Sequence, residues 1–417
     1  MGFMEPCAPD VHGSDLEVGA LVIADDLLPQ PGIGGRAAGL RAWSIGEGLR
    51  ANGVAVTYAV RTTWWDNAVH LPEPRPFERY WADVKDLTRL IRASRDRVLV
   101  NCSYPSLVPV ESRDRLLIQD SHGPRLMEAM YRAPHRLQHL ALGECFAYSS
   151  ADYFVCAGER QLAYFYPWLA LSGFDLTDTS RCFAVRFGYP GRPPVPIPEQ
   201  GRMIFAGTLL PWTDPRPGWD AARGLLSHRS ELVLMTGPGA GLGSVEHLTT
   251  ALHDLAEHPR CSLKGLLTRD EYIAELCRAS SALDVMARNC ERELAFATRT
   301  AEYLWMGVPP ITAGFSELGE LVRNYDAGWV VDPQDASAVR VAVAEALHDP
   351  SACHAKAAGA RRLHADKLAP ALTAAPLADI CRQGTKRTAG SKWSATAGVR
   401  ARLACRLMQV ARTIRRG

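Results

Sequence analysis

Two stretches of this chain carry residue types and spacings that could do chemistry. The first is "ERELAFATRTAEYLWMGVPPITAG", residues 291–314. A helix is predicted to begin near Thr298, with threonine as its cap and Arg299 and Thr300 in its first turn. It should run to Met306 and stop at Gly307, before Pro309-Pro310. Such a helix offers unsatisfied N–H groups to an anion, with the Arg299 guanidinium beside them. One turn on, Glu302 is an acceptor suited to a sugar diol. The same two side chains could equally be a solvated helix face. The second stretch is "LVIADDLLPQPGIGGRAAGLRAW", residues 21–43. Gly32-Ile33-Gly34-Gly35-Arg36-Ala37 fits a loose Gly-x-Gly-x-x-Ala dinucleotide fingerprint. In that fingerprint the glycines follow the first strand almost at once. Here "DDLLPQP" intervenes, and Arg61-Thr62-Thr63-Trp64 stands where the ribose-binding acid belongs. Two readings remain: a mobile turn, or an oxygen- or phosphate-binding loop at Gly34, Gly35 and Arg36, with Arg41 adding charge.

Other patterns exclude chemistry. His135 and His139 have the spacing for one helix face, but there is no adjacent glutamate and no evident third ligand, so no metal site is expected. The run from Gly237 to Gly243 is glycine-rich but lacks the Lys-Ser/Thr of a phosphate-binding P-loop. No Gly-x-Ser-x-Gly nucleophile motif occurs. Eleven cysteines are dispersed singly, which suits reduced thiols. The N-terminus lacks the basic start and apolar run of a signal peptide, and no uncharged run is long enough to span a bilayer. A cytoplasmic protein is the expectation.

The elements that must position these residues are legible as alternation. Short apolar runs ("ALVIADD", "VAVTYAV", "RVLVNC", "RLLIQD", "DYFVCAG", "CFAVRFG") are separated by amphipathic stretches. After a break, "MIFAGT", "ELVLMTG", "SLKGLL", "SALDVMA", "VPPITAG" and "GWVVDP" repeat the scheme. Near-continuous apolar strands alternating with helices imply parallel sheets covered on both faces. The 417 residues are too many for one ordinary core. The predicted class is therefore α/β, with two doubly wound Rossmann-like domains facing a cleft. We place an N-terminal tail at 1–18, the first domain at 19–187, a Pro-rich linker at 188–200 and the second domain at 201–370. A basic C-terminal tail follows at 371–417.

The net charge of +2 conceals an asymmetry: the ten cations from Arg382 onward meet no acid, so residues 1–381 carry −8. In the tail, Val399, Leu403, Leu407, Val410 and Ile414 form one helical stripe. Peripheral contact with an anionic membrane and plain packing on the body both fit it. Without stacking aromatics, specific nucleic-acid binding is not expected.

The segment "TAEYLWMGVPPI" resembles the donor-binding signature of GT-B glycosyltransferases of family 4, which reads Glu, seven residues, Glu, an apolar stretch and Gly-x-Pro. It is closest to a bacterial subgroup with Arg-Thr before Tyr-Leu-Trp-x-Gly-x-Pro. Position 294, where the first acid belongs, is leucine, and Glu293 is the nearest acid; the resemblance carries the catalytic acid there. The similarity extends over most of both domains. "GIGGRAAGLRAWSIGEGLRANGVAVT" resembles the family's opening loop, helix and second strand. "DSHGPRLMEA" is similar to the loop whose histidine contacts the transferred sugar, which implies that role for His122, with Asp120 as its partner. "SADYFVCAGERQLAYF" and "FAGTLLPWTDPRPGWDAA" resemble the last unit of the first domain and the first of the second. Thr208 stands where the family has an arginine and no lysine follows, so Arg299, Arg216 or Arg269 must neutralise the donor phosphates. Thr298 and Thr300 complete the implied donor site.

The resemblance implies a retaining glycosyltransferase that uses a nucleotide-diphosphate sugar and no further cofactor. The acceptor would be a small metabolite or a lipid-linked saccharide. With no Asp-x-Asp motif in a fitting context, helix dipole, backbone amides and arginine should stabilise the leaving diphosphate instead of a metal. Replacing His122 or Glu302 by alanine should then abolish transfer and leave the fold intact. The alternatives are another GT-B sugar-nucleotide enzyme, such as an epimerase or phosphorylase, and a degenerate sugar-nucleotide-binding module. A dehydrogenase would require nicotinamide binding.

Overall fold

The structure, a computed structural model, describes residues 18–30, 32–62, 71–103, 114–239 and 243–387. Seven strands form the first sheet: β1 (Gly19–Ala24), β2 (Ala55–Arg61), β3 (Glu78–Trp81), β4 (Val98–Cys102), β5 (Leu116–Ser121), β6 (Tyr153–Cys156) and β7 (Cys182–Ala184). Their spatial order is β3-β2-β1-β4-β5-β6-β7, and all pairings are parallel. Six strands form the second: β8 (Arg202–Leu209), β9 (Glu231–Pro238), β10 (Cys261–Leu263), β11 (Ser281–Asp284), β12 (Pro310–Ala313) and β13 (Trp329–Val331). Their order is β10-β9-β8-β11-β12-β13, again wholly parallel. The expected α/β class with two doubly wound sheets is thus the observed one. Strand order reverses once in each sheet, between β1 and β4 and between β8 and β11. In open sheets of this kind ligands bind at that crevice, beyond the carboxyl ends of the strands.

Burial explains the strands. β1, β4, β5 and β6 are buried almost throughout, and both sheets carry an apolar core on each face. β3 was not among the expected strands. Its sequence Glu-Arg-Tyr-Trp has no apolar run, and it is tolerated because it lies at the sheet edge.

The helix Thr298–Met306 has the expected span and ends on Gly307, whose φ of 72° is the left-handed cap conformation. Its cap differs from the expectation. Ala297 is the N-cap and Thr298 the first helical residue, so no side chain caps this end and no acid stands in the first turn.

The chain crosses between the domains twice. Gly188–Gly201 is free of regular structure, apart from ladder-like bonds from Ile197 and Glu199 to the end of the helix Arg269–Arg278. The return runs through Leu368, whose carbonyl lies against Gly188, so the two crossings touch. The helices Pro370–Thr373 and Ala375–Gln383 then pack on the first domain, not the second. Asn52 Nδ2 donates to the Ala371 carbonyl at 2.8 Å, and Leu377, Ala378 and Cys381 enter the first sheet's core. The apolar stripe Val399–Ile414 lies outside the described residues. No helix among the described residues is long and apolar enough to cross a membrane.

Loops at the carboxyl ends of the two sheets meet across the cleft. Arg186 Nε donates to Glu317 Oε1 at 3.0 Å, and the Arg160 amide donates to Glu317 Oε2 at 3.1 Å. Arg160 also binds the Phe315 carbonyl and Glu320. Elsewhere in the cleft the Tyr131 and Trp212 rings approach to 6.3 Å.

Candidate functional site

Arg299 stands at the switch point of the second sheet. Its Nη1 donates to the Ala206 carbonyl of β8 at 2.8 Å, and its Nε lies 3.6 Å from Asp284 Oδ1 at the end of β11. The guanidinium covers Gly207, whose φ is +111°. A Cβ there would press on it at 3.0–3.3 Å, and the positive φ favours glycine. Thr300 Oγ1 binds the other Asp284 oxygen. Arg299, Thr300 and the uncapped N–H groups at Thr298 therefore form one cluster, with Arg299 partly exposed. Thr208, half-buried, follows Gly207 on β8.

The remaining donor-side candidates are placed elsewhere. Glu302 is buried, and each of its oxygens has a partner. Arg269 Nη1 binds Oε1, and the Tyr189 hydroxyl donates to Oε2 at 3.0 Å. Tyr189 comes from the crossing segment and stacks on Trp305, with ring centroids 5.4 Å apart. A ribose using Glu302 has to exchange one of these contacts. Arg216 is held by Asp214 through bonds of 2.8 and 2.6 Å. Each of the three cations considered for the diphosphate is held by a carboxylate: Arg299 by Asp284 at the end of β11, Arg216 by Asp214 on the loop after β8, and Arg269 by Glu302.

In the first domain, Asp120 ends the core of β5 and is fully buried. Arg41, from the helix Ala37–Ala51, grips it with Nε at 3.2 Å from both oxygens and Nη2 at 2.7 Å from Oδ1. Burial alone would raise the Asp120 carboxyl. The Arg41 charge and its hydrogen bonds, with His122 close by, outweigh it and hold the group down to about 2. His122 Nδ1 lies 3.4 Å from Asp120 Oδ2 without an aligned hydrogen bond, and the imidazole side chain is 21% exposed. Asp120 and His122 are thus neighbours in space. The Arg41 charge goes to Asp120, not to the glycine loop.

That loop reaches the other domain. The Gly32 amide donates to Asp270 Oδ2 at 3.2 Å, and the Ile33 carbonyl accepts from the Arg269 amide at 3.0 Å. Gly34 faces the Leu267 carbonyl, and Gly35 and Arg36 are exposed. Arg36 is the N-cap of the Ala37–Ala51 helix without capping it, and lies 3.7 Å from Asp26.

Glu293 is half-exposed and receives a 2.7 Å bond from Arg288. The buried acid of that turn is Glu291, paired with Arg292. Glu291 acts on Glu128, which the sequence reading did not single out. A carboxyl oxygen of Glu128 lies beside Gly123, next to His122. Burial, then the Glu291 charge, raises Glu128 to about 7, against the pull of Arg125, Arg292 and Arg132. Between about pH 4.5 and 7 the native state keeps a proton that the unfolded chain has lost. Stability should therefore fall as pH rises through that window, by about 3 kcal/mol at most from this group. Urea unfolding at pH 5 and pH 8 checks this. Glu128→Gln should flatten the difference, and an unchanged slope would remove Glu128 as its source.

His135 and His139 do not share a helix. His135 is in the turn Pro134–Arg136 and His139 in the helix Leu137–Tyr148. Among the described residues no three His, Cys, Asp or Glu side chains are grouped as for a metal.

The architecture is the GT-B fold of glycosyltransferases: two doubly wound parallel sheets whose carboxyl ends meet at a cleft. Solved structures of this class superpose over most of the chain. Sucrose-phosphate synthase from Thermosynechococcus elongatus matches with a TM-score of 0.68 at 15% identity, covering 88% of this chain and 99% of that one. HepE from Anabaena, determined in complex with UDP-glucose, gives 0.61 at 11% identity over 88% and 100%. WaaG, a glycosyltransferase involved in lipopolysaccharide biosynthesis, gives 0.61 at 14% identity, again over 88% and 100%. At these identities the likeness is one of fold. No protein-family model and no curated protein matches the sequence.

Proposed function

We propose that this protein is a retaining, metal-independent glycosyltransferase acting on a nucleotide-diphosphate sugar. The observation that carries the reading is Arg299 at the β8/β11 switch point, beside an uncapped helix N-terminus. A cation and free N–H groups suit a diphosphate leaving group. Across the cleft, Asp120 and His122 supply an imidazole able to orient the transferred sugar, and the Gly34–Gly35–Arg36 loop forms the lip on that side. The acceptor enters from the first domain. The UDP-glucose held by HepE, a protein of the same fold, supports a sugar nucleotide as donor. A lipid-linked saccharide is the acceptor class that would also give the basic tail a role at a membrane surface, with the protein on the cytoplasmic side.

Thermal unfolding with a panel of nucleoside diphosphates and their sugars, each with and without EDTA, tests the donor. The correct donor should stabilise the protein by about 2.7 kcal/mol at a hundred times its Kd. EDTA should not change that. Absence of stabilisation by every sugar nucleotide overturns the reading, and a requirement for divalent metal overturns its metal-independence. Thr208 in place of an arginine favours one alternative, a binding module. Stabilisation without turnover on any acceptor would select it.

A further inference from the structure

We propose that Arg41 is a positioning residue that sets the protonated nitrogen of His122. The proposal rests on the glycosyltransferase reading only for its catalytic consequence. Arg41 is buried to 1% side-chain exposure, and its guanidinium is used on two sides. Nε and Nη2 clasp Asp120, and Nη1 donates to the Val185 carbonyl just beyond β7 at 2.6 Å. Three elements distant in sequence are thereby pinned under the loop that carries His122. A planar fork can make these bonds together, and an ammonium cannot.

The chemistry follows from what a carboxylate can do. Ionised Asp120 only accepts hydrogen bonds. His122 Nδ1 is buried, faces Asp120 Oδ2 at 3.4 Å and has no other partner among the described residues. A proton on Nδ1 is the arrangement that satisfies both groups. The neutral imidazole then presents Nε2 as a bare lone pair, able to accept from a sugar hydroxyl. The surroundings leave this to Arg41. The neighbouring Cys102 and Cys156 thiols are pushed well up by burial and stay neutral. On the other side, Glu128 lies over Gly123. Without its cation, Asp120 would be an uncompensated charge in the core and would take up a proton, turning from acceptor to donor. A buried ion pair is seldom needed for stability, since apolar side chains of similar volume serve as well. Its place beneath His122 gives it a use.

Two-bond 1H–15N correlation of the histidine rings reads the tautomer directly, with the His122 signals assigned by their loss in His122→Asn. The wild type should show Nδ1–H and bare Nε2 at neutral pH. Two variants are informative: Arg41→Lys, which keeps the charge and loses the fork, and the paired Arg41→Met/Asp120→Asn, which removes both charges. The paired variant should give a mixed or inverted tautomer, and Arg41→Lys, which leaves Asp120 ionised but no longer held in place, a mixed one. With a turned-over donor, kcat should fall about tenfold or more while KM for the donor changes little. Should Arg41→Lys fail to fold, the paired variant carries the test. A folded paired variant that keeps the pure Nδ1–H tautomer overturns the proposal, and so does a wild type with the proton on Nε2. The tautomer needs no donor. Failure of the glycosyltransferase reading would leave it intact, and the reverse also holds.

Discussion

Replacement of His122 by alanine should lower turnover of the true donor about a hundredfold or more, while the unfolding free energy falls by only about 1 kcal/mol. Both halves follow from the geometry. The imidazole side chain is about one-fifth exposed and makes no aligned hydrogen bond, so truncation breaks no bond network and leaves only a small void at the rim of the core. Asp120 keeps its Arg41 fork and is not orphaned. What is lost is an imidazole just beyond the carboxyl end of β5. Steady-state kinetics with urea unfolding on the same preparations separates the two effects. KM for the donor should change little, because the proposed diphosphate site, at Arg299, lies in the second domain. Unchanged turnover would remove His122 from the chemistry, and a large loss of stability would make it a structural residue.

How much of this could be read in advance depended on whether the signal was local. Most of the second sheet was legible because its strands, apart from the short half-exposed β10, are apolar runs between turn residues. The end of the Thr298–Met306 helix was legible because Gly307 and Pro309-Pro310 stop it within one turn. β3 was not, because a charged edge strand has no apolar run to announce it. Asp120 and His122 are two residues apart on one strand end, and their pairing is likewise local. Arg41 joins them from 79 positions away in sequence, and only the folding of the first helix onto the β5 and β7 ends brings it there. Its charge is therefore unreadable as a partner of Asp120 from spacing alone. Glu302 shows the same limit. Helical spacing placed it one turn after Arg299, but nothing local says that Arg269 and Tyr189, 33 and 113 positions away, close over it.

That burial changes what Glu302→Ala should do. The sequence suggested a loss of transfer on an intact fold; the structure leads us to expect a loss of stability as well. The Arg269 and Glu302 side chains are 9% and 4% exposed. Removing the carboxylate leaves a buried guanidinium unpaired, at a cost of about 3–5 kcal/mol. The disturbance should spread toward the domain junction. Arg269 donates its amide to Ile33 of the first domain, and Tyr189 packs between Trp305 and Trp43. A drop in melting temperature of several degrees is therefore expected, and the activity of this variant alone says nothing about the donor. The informative companion is Arg269→Met with Glu302→Leu, which removes both charges and fills their volume. It should recover most of the stability, because buried ion pairs are replaceable by packed apolar groups. If Glu302 also receives the donor ribose, the recovered protein should still bind the nucleotide sugar poorly. Recovery of both stability and donor affinity would confine Glu302 to a structural role and leave Arg299 as the anchor of the donor. A melting temperature unmoved in Glu302→Ala would mean that the Arg269–Glu302 pair contributes nothing to the junction.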